Sequence, residues 1–143
     1  ENLCVPLEYA AWGRTGHRHI TEQAMEILET VKFADRAHEN SAGLTQVDMR
    51  KLELARALAA KPTLLVSDEA MAGLSSSEVD EILEILMVLN SQGVAVIMIE
   101  HIMRAVMRFS ERIVVLDAGK KIAEGLPDEI VRNPDVERAY LGE

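Results

Sequence analysis

Two apolar segments of this sequence each stop at residues able to do chemistry. Thr63-Leu64-Leu65-Val66-Ser67 runs into Asp68-Glu69, and Val94-Ala95-Val96-Ile97-Met98-Ile99 runs into Glu100-His101. Both runs are short, and the second is rich in β-branched residues, which suits a buried strand better than a helix. In open parallel sheets, ligands bind beyond the carboxyl ends of the strands. If the two strands are neighbours, their carboxylates and an imidazole converge on one edge. An apolar strand ending in Asp-Glu suits transfer of a phosphoryl group to water. The first carboxylate helps to hold Mg²⁺, usually through water, and the second orients and polarises the attacking water. The strand is expected to keep both acids rigid and partly dehydrated. By itself the pattern is weak, because acids after strands also simply begin solvated loops or cap helices.

The elements that must position these residues follow from periodicity. Up to about residue 60 the pattern is helical. Trp12-Gly13-Arg14-Thr15-Gly16-His17-Arg18-His19 reads as a loop, and Thr21 as the cap of a helix whose stripe is Ala24, Ile27, Leu28 and Val31. A second helix is expected from about Gln46 to Ala60, with Leu52, Ala55, Leu58 and Ala59 inward and Pro62 marking its stop. From Thr63 onward apolar runs alternate with helices. Ser75-Ser76-Ser77-Glu78 is a capping box for a helix carrying Val79, Ile82, Leu83, Leu86 and Leu89 and ending before Gly93. A helix around Ile102 to Phe109 leads to a third strand, Ile113 to Leu116. Strand, helix, strand, helix, strand implies parallel pairing and an α/β fold. Gly119 then turns the chain into a last short strand around Lys121-Ile122-Ala123, and two helices start near Pro127 and Pro134.

Composition bounds the function. The 143 residues are 48% hydrophobic and 27% charged, a globular balance that excludes a disordered or collagen-like chain. No apolar run approaches the ~20 residues of a membrane helix, and no basic-then-apolar leader is visible. A lone cysteine, Cys4, makes neither an internal disulfide nor a thiolate metal site, which favours a cytosolic setting. Fifteen Lys+Arg against 24 Asp+Glu give a net charge of −9, so nucleic acid is not an expected partner. His17 and His19 form an i, i+2 pair without an evident third ligand and read as solvated loop residues. Met98, Met103 and Met107 read as core filler, and Arg104, Arg108 and Arg112 as a solvated helical face.

Around the acids lies a longer series. Leu44-Thr45-Gln46-Val47-Asp48 opens the second helix, Ala72-Gly73-Leu74-Ser75 follows the acids, and His101 closes the set. In order and spacing this resembles the second half of an ABC-transporter ATP-binding subunit. Leu44 to Asp48 fall on the signature motif, Asp68 and Glu69 on Walker B and its catalytic glutamate, Ala72 to Ser75 on the D-loop, and His101 on the switch histidine. Glu69-Ala70-Met71-Ala72-Gly73-Leu74, Met98-Ile99-Glu100-His101, and Asn133-Pro134-Asp135-Val136 with the ending Ala139-Tyr140-Leu141-Gly142-Glu143 resemble the branched-chain amino acid importers in particular.

The resemblance implies a partial P-loop NTPase core with parallel strands at residues 62–143, preceded by a helical subdomain with the signature motif at residues 1–61. It implies ATP and Mg²⁺ as cofactors of a complete subunit dimer, with Asp68 serving Mg²⁺ through water, Glu69 orienting water and His101 contacting the γ-phosphate. Leu44, Thr45, Gln46, Val47 and Asp48 would face the nucleotide of the opposing subunit. Transmembrane permease subunits and a second ATP-binding subunit are the implied partners, at the inner face of the plasma membrane.

Two departures qualify this. Gly-x-x-x-x-Gly-Lys-[Ser/Thr], the loop that cradles phosphates, does not occur in the sequence. Val47 stands where the signature has glycine, so its methyls are expected to crowd the phosphate and restrict the backbone. The chain alone is therefore expected to be inactive. The alternative reading is a catalytically inactive fragment or interaction module derived from such an ATPase.

Overall fold

A computed structural model describes residues 2–11 and 17–141. Residues 12–16 of the loop expected at 12–19, residue 1 and the final Gly142-Glu143 lie outside the described residues. The chain divides into two compact units, Glu1–Ile99 and Glu100–Glu143. The boundary read from the sequence at 61/62 falls inside the first.

The first unit opens with α1 (Cys4–Ala11) and α2 (His17–Thr30). Helix α2 starts four residues before the expected cap, so Thr21 lies inside it and His19 is helical rather than looped. Only the glycines break the pattern here, and the helix begins directly after Gly16. Its buried stripe is Ile20, Ala24, Leu28 and Val31. Lys32 reverses the chain at φ +55, and two 3-10 turns follow, Ala34–Arg36 and Ser41–Gly43. Helix α3 (Gln46–Leu58) starts at a Thr45 cap and buries Val47, Lys51, Leu54 and Ala55. The Lys51 stem is buried while its Nζ reaches Glu81 Oε2 at 2.7 Å, the usual compromise for a long charged side chain.

Strand β1 (Leu64–Asp68), helix α4 (Ser76–Ser91) and strand β2 (Ala95–Ile99) form a β-α-β passage. The strands pair in parallel, with Leu64 opposite Ala95, Val66 opposite Ile97 and Asp68 opposite Ile99. The Ser75–Glu78 capping box is present, and the α4 face of Val79, Ile82, Leu83, Ile85, Leu86 and Leu89 is fully inside. Beyond α4, Gly93 takes φ +94, a conformation that costs glycine little. Alternation along the strands divides the sheet into two faces. Leu65 and Ser67 are buried, whereas Leu64, Val66, Ile97 and Ile99 are 50–55% exposed.

The second unit holds α5 (Met103–Phe109), β3 (Ile113–Asp117), β4 (Lys120–Gly125), α6 (Pro127–Val131) and α7 (Pro134–Leu141). The third strand was expected to extend a parallel sheet. It pairs instead antiparallel with β4, in a separate two-stranded sheet. The local cause is the two-residue connection Ala118-Gly119, with φ +45 and +78. Positive φ at both central residues is the hairpin turn whose twist matches the flanking strands. Arg112, just before β3, pairs with Glu124 across this hairpin, and Lys121 pairs with Glu124 along β4.

Candidate functional site

The head of α3 is built around one carboxylate. Asp48, the third residue of the helix, is 7% exposed. Its Oδ2 accepts from the Thr45 amide at 3.0 Å and from the Thr45 hydroxyl at 2.5 Å, while the Asp48 amide donates to Thr45 Oγ1 at 3.3 Å. This reciprocal arrangement satisfies donors that a helix start leaves open. Arg36, on the first 3-10 turn, also donates to Asp48 and holds Glu39 through Nε at 2.8 Å, with its guanidinium 5.6 Å from the Phe33 ring centre. Burial pushes the Asp48 carboxyl up, but the Thr45 hydroxyl, the Thr45 amide and Arg36 outweigh it, so it titrates below the usual carboxylate range. A cavity of about 520 Å³ is lined in part by Leu3, Leu28, Phe33, Arg36 and Leu44.

Of the other residues expected to form the signature motif, Leu44 is half-buried, Thr45 and Gln46 are exposed, and Val47 is 9% exposed. The Val47 methyls are therefore packed inside the unit. Inside this chain the valine is a packing residue; the crowding of a phosphate expected of it concerns the nucleotide of an opposing subunit.

Asp68 ends β1 and Glu69 starts the following loop. Glu69 adopts φ +44, the left-handed region that a side chain disfavours. Its backbone is held on both sides: the Glu69 amide donates to the Ile99 carbonyl at 2.9 Å, and the Glu69 carbonyl accepts from the Ala72 amide at 3.2 Å. Met71 is fully buried and anchors the loop. Both carboxylates are exposed rather than dehydrated, since Asp68 belongs to the open face of the sheet and Glu69 to the turn beyond it. The expected neighbour relation of the two strands holds: β2 ends opposite Asp68. His101 lies two residues later, exposed, in the second unit.

Among the described residues no group of three or more His, Cys, Asp and Glu could hold a metal ion. Asp68 suits Mg²⁺ only as one carboxylate of a shell otherwise made of water and substrate phosphates. Sequence reasoning missed Arg36, whose tether to Asp48 crosses an unforeseen 3-10 turn, and the link from Gln46 to the Ala72 carbonyl. No local signal pointed to either.

The parallel β-α-β passage, with Asp-Glu at the end of its first strand and a capped helix before it, matches solved ATP-binding cassettes. The chain superimposes on the ADP conformation of MJ1267, an ATP-binding cassette of an ABC transporter, with a TM-score of 0.82 and 28% identity over 96% of this chain and 55% of that one. A dimeric post-hydrolysis state of the cassette MJ0796, bound to ADP and Pi, gives 0.76 and 25%, covering 87% and 54%. In sequence, 131 residues are 39% identical to the high-affinity branched-chain amino acid transport ATP-binding protein BraF of Pseudomonas aeruginosa, which is 91% of this chain and 51% of BraF. Residues 120–143 match the family described as branched-chain amino acid ATP-binding cassette transporter. The chain belongs to the ABC-transporter ATP-binding cassettes, corresponds to their C-terminal half, and resembles the branched-chain amino acid type. It spans about half the length of the curated relatives it matches. No helix among the described residues is long and apolar enough to cross a membrane.

Proposed function

We propose that this chain supplies the water-directing and signature half of an ATP-hydrolysing subunit that energises import of branched-chain amino acids. The observation that carries this reading is the fixed Asp68-Glu69 turn at the carboxyl end of paired parallel strands. Asp68 serves Mg²⁺ through water, Glu69 orients the attacking water, and His101 meets the γ-phosphate. Mg²⁺, when bound, neutralises charge on the phosphates. Leu44 to Asp48 present the start of α3 to the nucleotide held by an opposing subunit, where open amides and the helix dipole favour negative charge. The phosphate cradle comes from a glycine-rich, lysine-bearing half absent from this sequence. Transmembrane permease subunits and a second ATP-binding subunit complete the machine, on the cytoplasmic face of the plasma membrane.

One observation favours a second reading, an inactive interaction module. The only proton of the Thr45 hydroxyl is given to Asp48, so the signature hydroxyl does not donate to a phosphate until that bond opens. The two readings are separated by joining this chain to the amino-terminal half of BraF in cells lacking BraF and following uptake of labelled leucine. Uptake that Glu69→Gln abolishes supports the transport ATPase. Stable assembly with the permease and no uptake supports the inactive module.

A further inference from the structure

The carboxylate loop and the head of α3 are joined by one side chain. Gln46, the first residue of α3, donates from Nε2 to the Ala72 carbonyl at 2.9 Å. Its amide rests against Gly73: a Cβ built there would lie 2.7 Å from Gln46 Nε2 and 3.3 Å from Oε1. Gly73 also adopts φ +78. Glycine is thus required at this point for its backbone and for the room it leaves the amide.

The rest of the loop is held by its own backbone and by β2. Glu69 is fixed to Ile99, Ala72 to Glu69, and Leu74 to Met71 by amide-to-carbonyl bonds of 2.9, 3.2 and 3.2 Å. The loop is therefore one small body, from the strained Glu69 to the Ser75 cap of α4, and Gln46 grips it near its middle. At its other end Gln46 adjoins Thr45, whose hydroxyl and amide are locked to Asp48. A displacement of the head of α3 has a short covalent and hydrogen-bonded route to the backbone that orients Glu69.

We propose that Gln46 is a positioning residue, a clamp that makes the loop bearing Glu69 follow the head of α3 within the same chain. The clamp is a property of this chain; its consequence, that a ligand closing on the helix head also sets the water-directing carboxylate, rests on the function proposed above. The clamp differs from a nucleotide contact in that it operates with no nucleotide present.

Amide hydrogen exchange on the chain itself tests the clamp, as a double-mutant cycle. Gln46→Glu keeps the shape and removes the donor. It should speed exchange at Glu69, Ala72 and Leu74 about fivefold, the loss of one ordinary hydrogen bond, while Val115 in the hairpin is unchanged. Gln46→Lys, which restores a donor, should recover most of the protection. Thr45→Ala, which loosens the helix head, should speed exchange in the loop when Gln46 is present and should add nothing further in the Gln46→Glu background. Loop exchange indifferent to Gln46→Glu, or strictly additive effects, would overturn the clamp. If Gln46→Glu does not fold, Gly73→Ala displaces the same amide from the opposite side and must give the same acceleration, or the proposal fails. Because no nucleotide is involved, a positive cycle with no hydrolysis in an assembled cassette would reject the ATPase reading and leave the clamp standing.

Discussion

Thr45 and Asp48 hold each other at the head of α3, hydroxyl to carboxylate at 2.5 Å and amide to hydroxyl at 3.3 Å. The helix cap and a buried charge are thereby one unit, with Arg36 as its outer support. The arrangement keeps a carboxylate ionised inside the protein and uses the Thr45 hydroxyl to do so.

Its pH dependence has a definite sign. Asp48 titrates lower in the folded chain than its ordinary 3.8. The stability it contributes is therefore present above that value and is lost as pH falls through the lower, folded one. Thermal unfolding from pH 7 down to the acid range should show wild type weakening below about pH 4. Asp48→Asn should be less stable at pH 7 and lose less on acidification. Parallel curves would remove Asp48 from the acid response.

Removing the cap should matter at neutral pH. Thr45→Ala is expected to lower stability by about 0.5–2 kcal/mol, as is Ser75→Ala at the corresponding box of α4. Urea unfolding of the two variants checks this.

Val47 is now a stability question. Its side chain is buried, so Val47→Gly should cost about 1.5–3 kcal/mol of lost burial and only a few tenths of a kcal/mol more of helix propensity. Val47→Ala, which keeps the better helix former, should cost less. If Val47→Gly unfolds at the same urea concentration as wild type, the valine does not contribute packing to this chain.

Ser67 offers the opposite sign. Its hydroxyl is buried without a hydrogen-bond partner among the described residues. Ser67→Ala should raise unfolding free energy by about 1 kcal/mol, and a loss would show that the hydroxyl has a partner in solution.

What could be read from the sequence was mostly what is local. The α4 box needs only Ser75 and Glu78 three residues apart, and β1 and β2 announce themselves as branched apolar runs. The turn at Gly119 was legible, but the partner of β3 was misread, because strand-helix-strand order implies parallel pairing and only the positive φ of both Ala118 and Gly119 makes the connection a tight hairpin. Arg36 to Asp48 and Gln46 to Ala72 are contacts between elements, invisible to periodicity.

Parallel sheets are ordinarily covered on both faces. With Leu64, Val66, Ile97 and Ile99 half exposed on one face, the isolated 143-residue chain should self-associate as concentration rises. Val66→Lys with Ile97→Glu should suppress this. Light scattering that shows a monomer across a hundredfold range would contradict it.

The central claim is that Glu69 is the water-directing carboxylate of an ATPase whose phosphate cradle does not occur in this sequence. Phosphate release from Mg-ATP tests it most directly, measured for the chain alone, for the amino-terminal half of BraF alone, and for the two co-produced and purified together. The account predicts no turnover by either half, turnover by the pair, and its loss with Glu69→Gln. Hydrolysis by the chain alone, or by a pair in which Glu69→Gln is as fast as wild type, would contradict it.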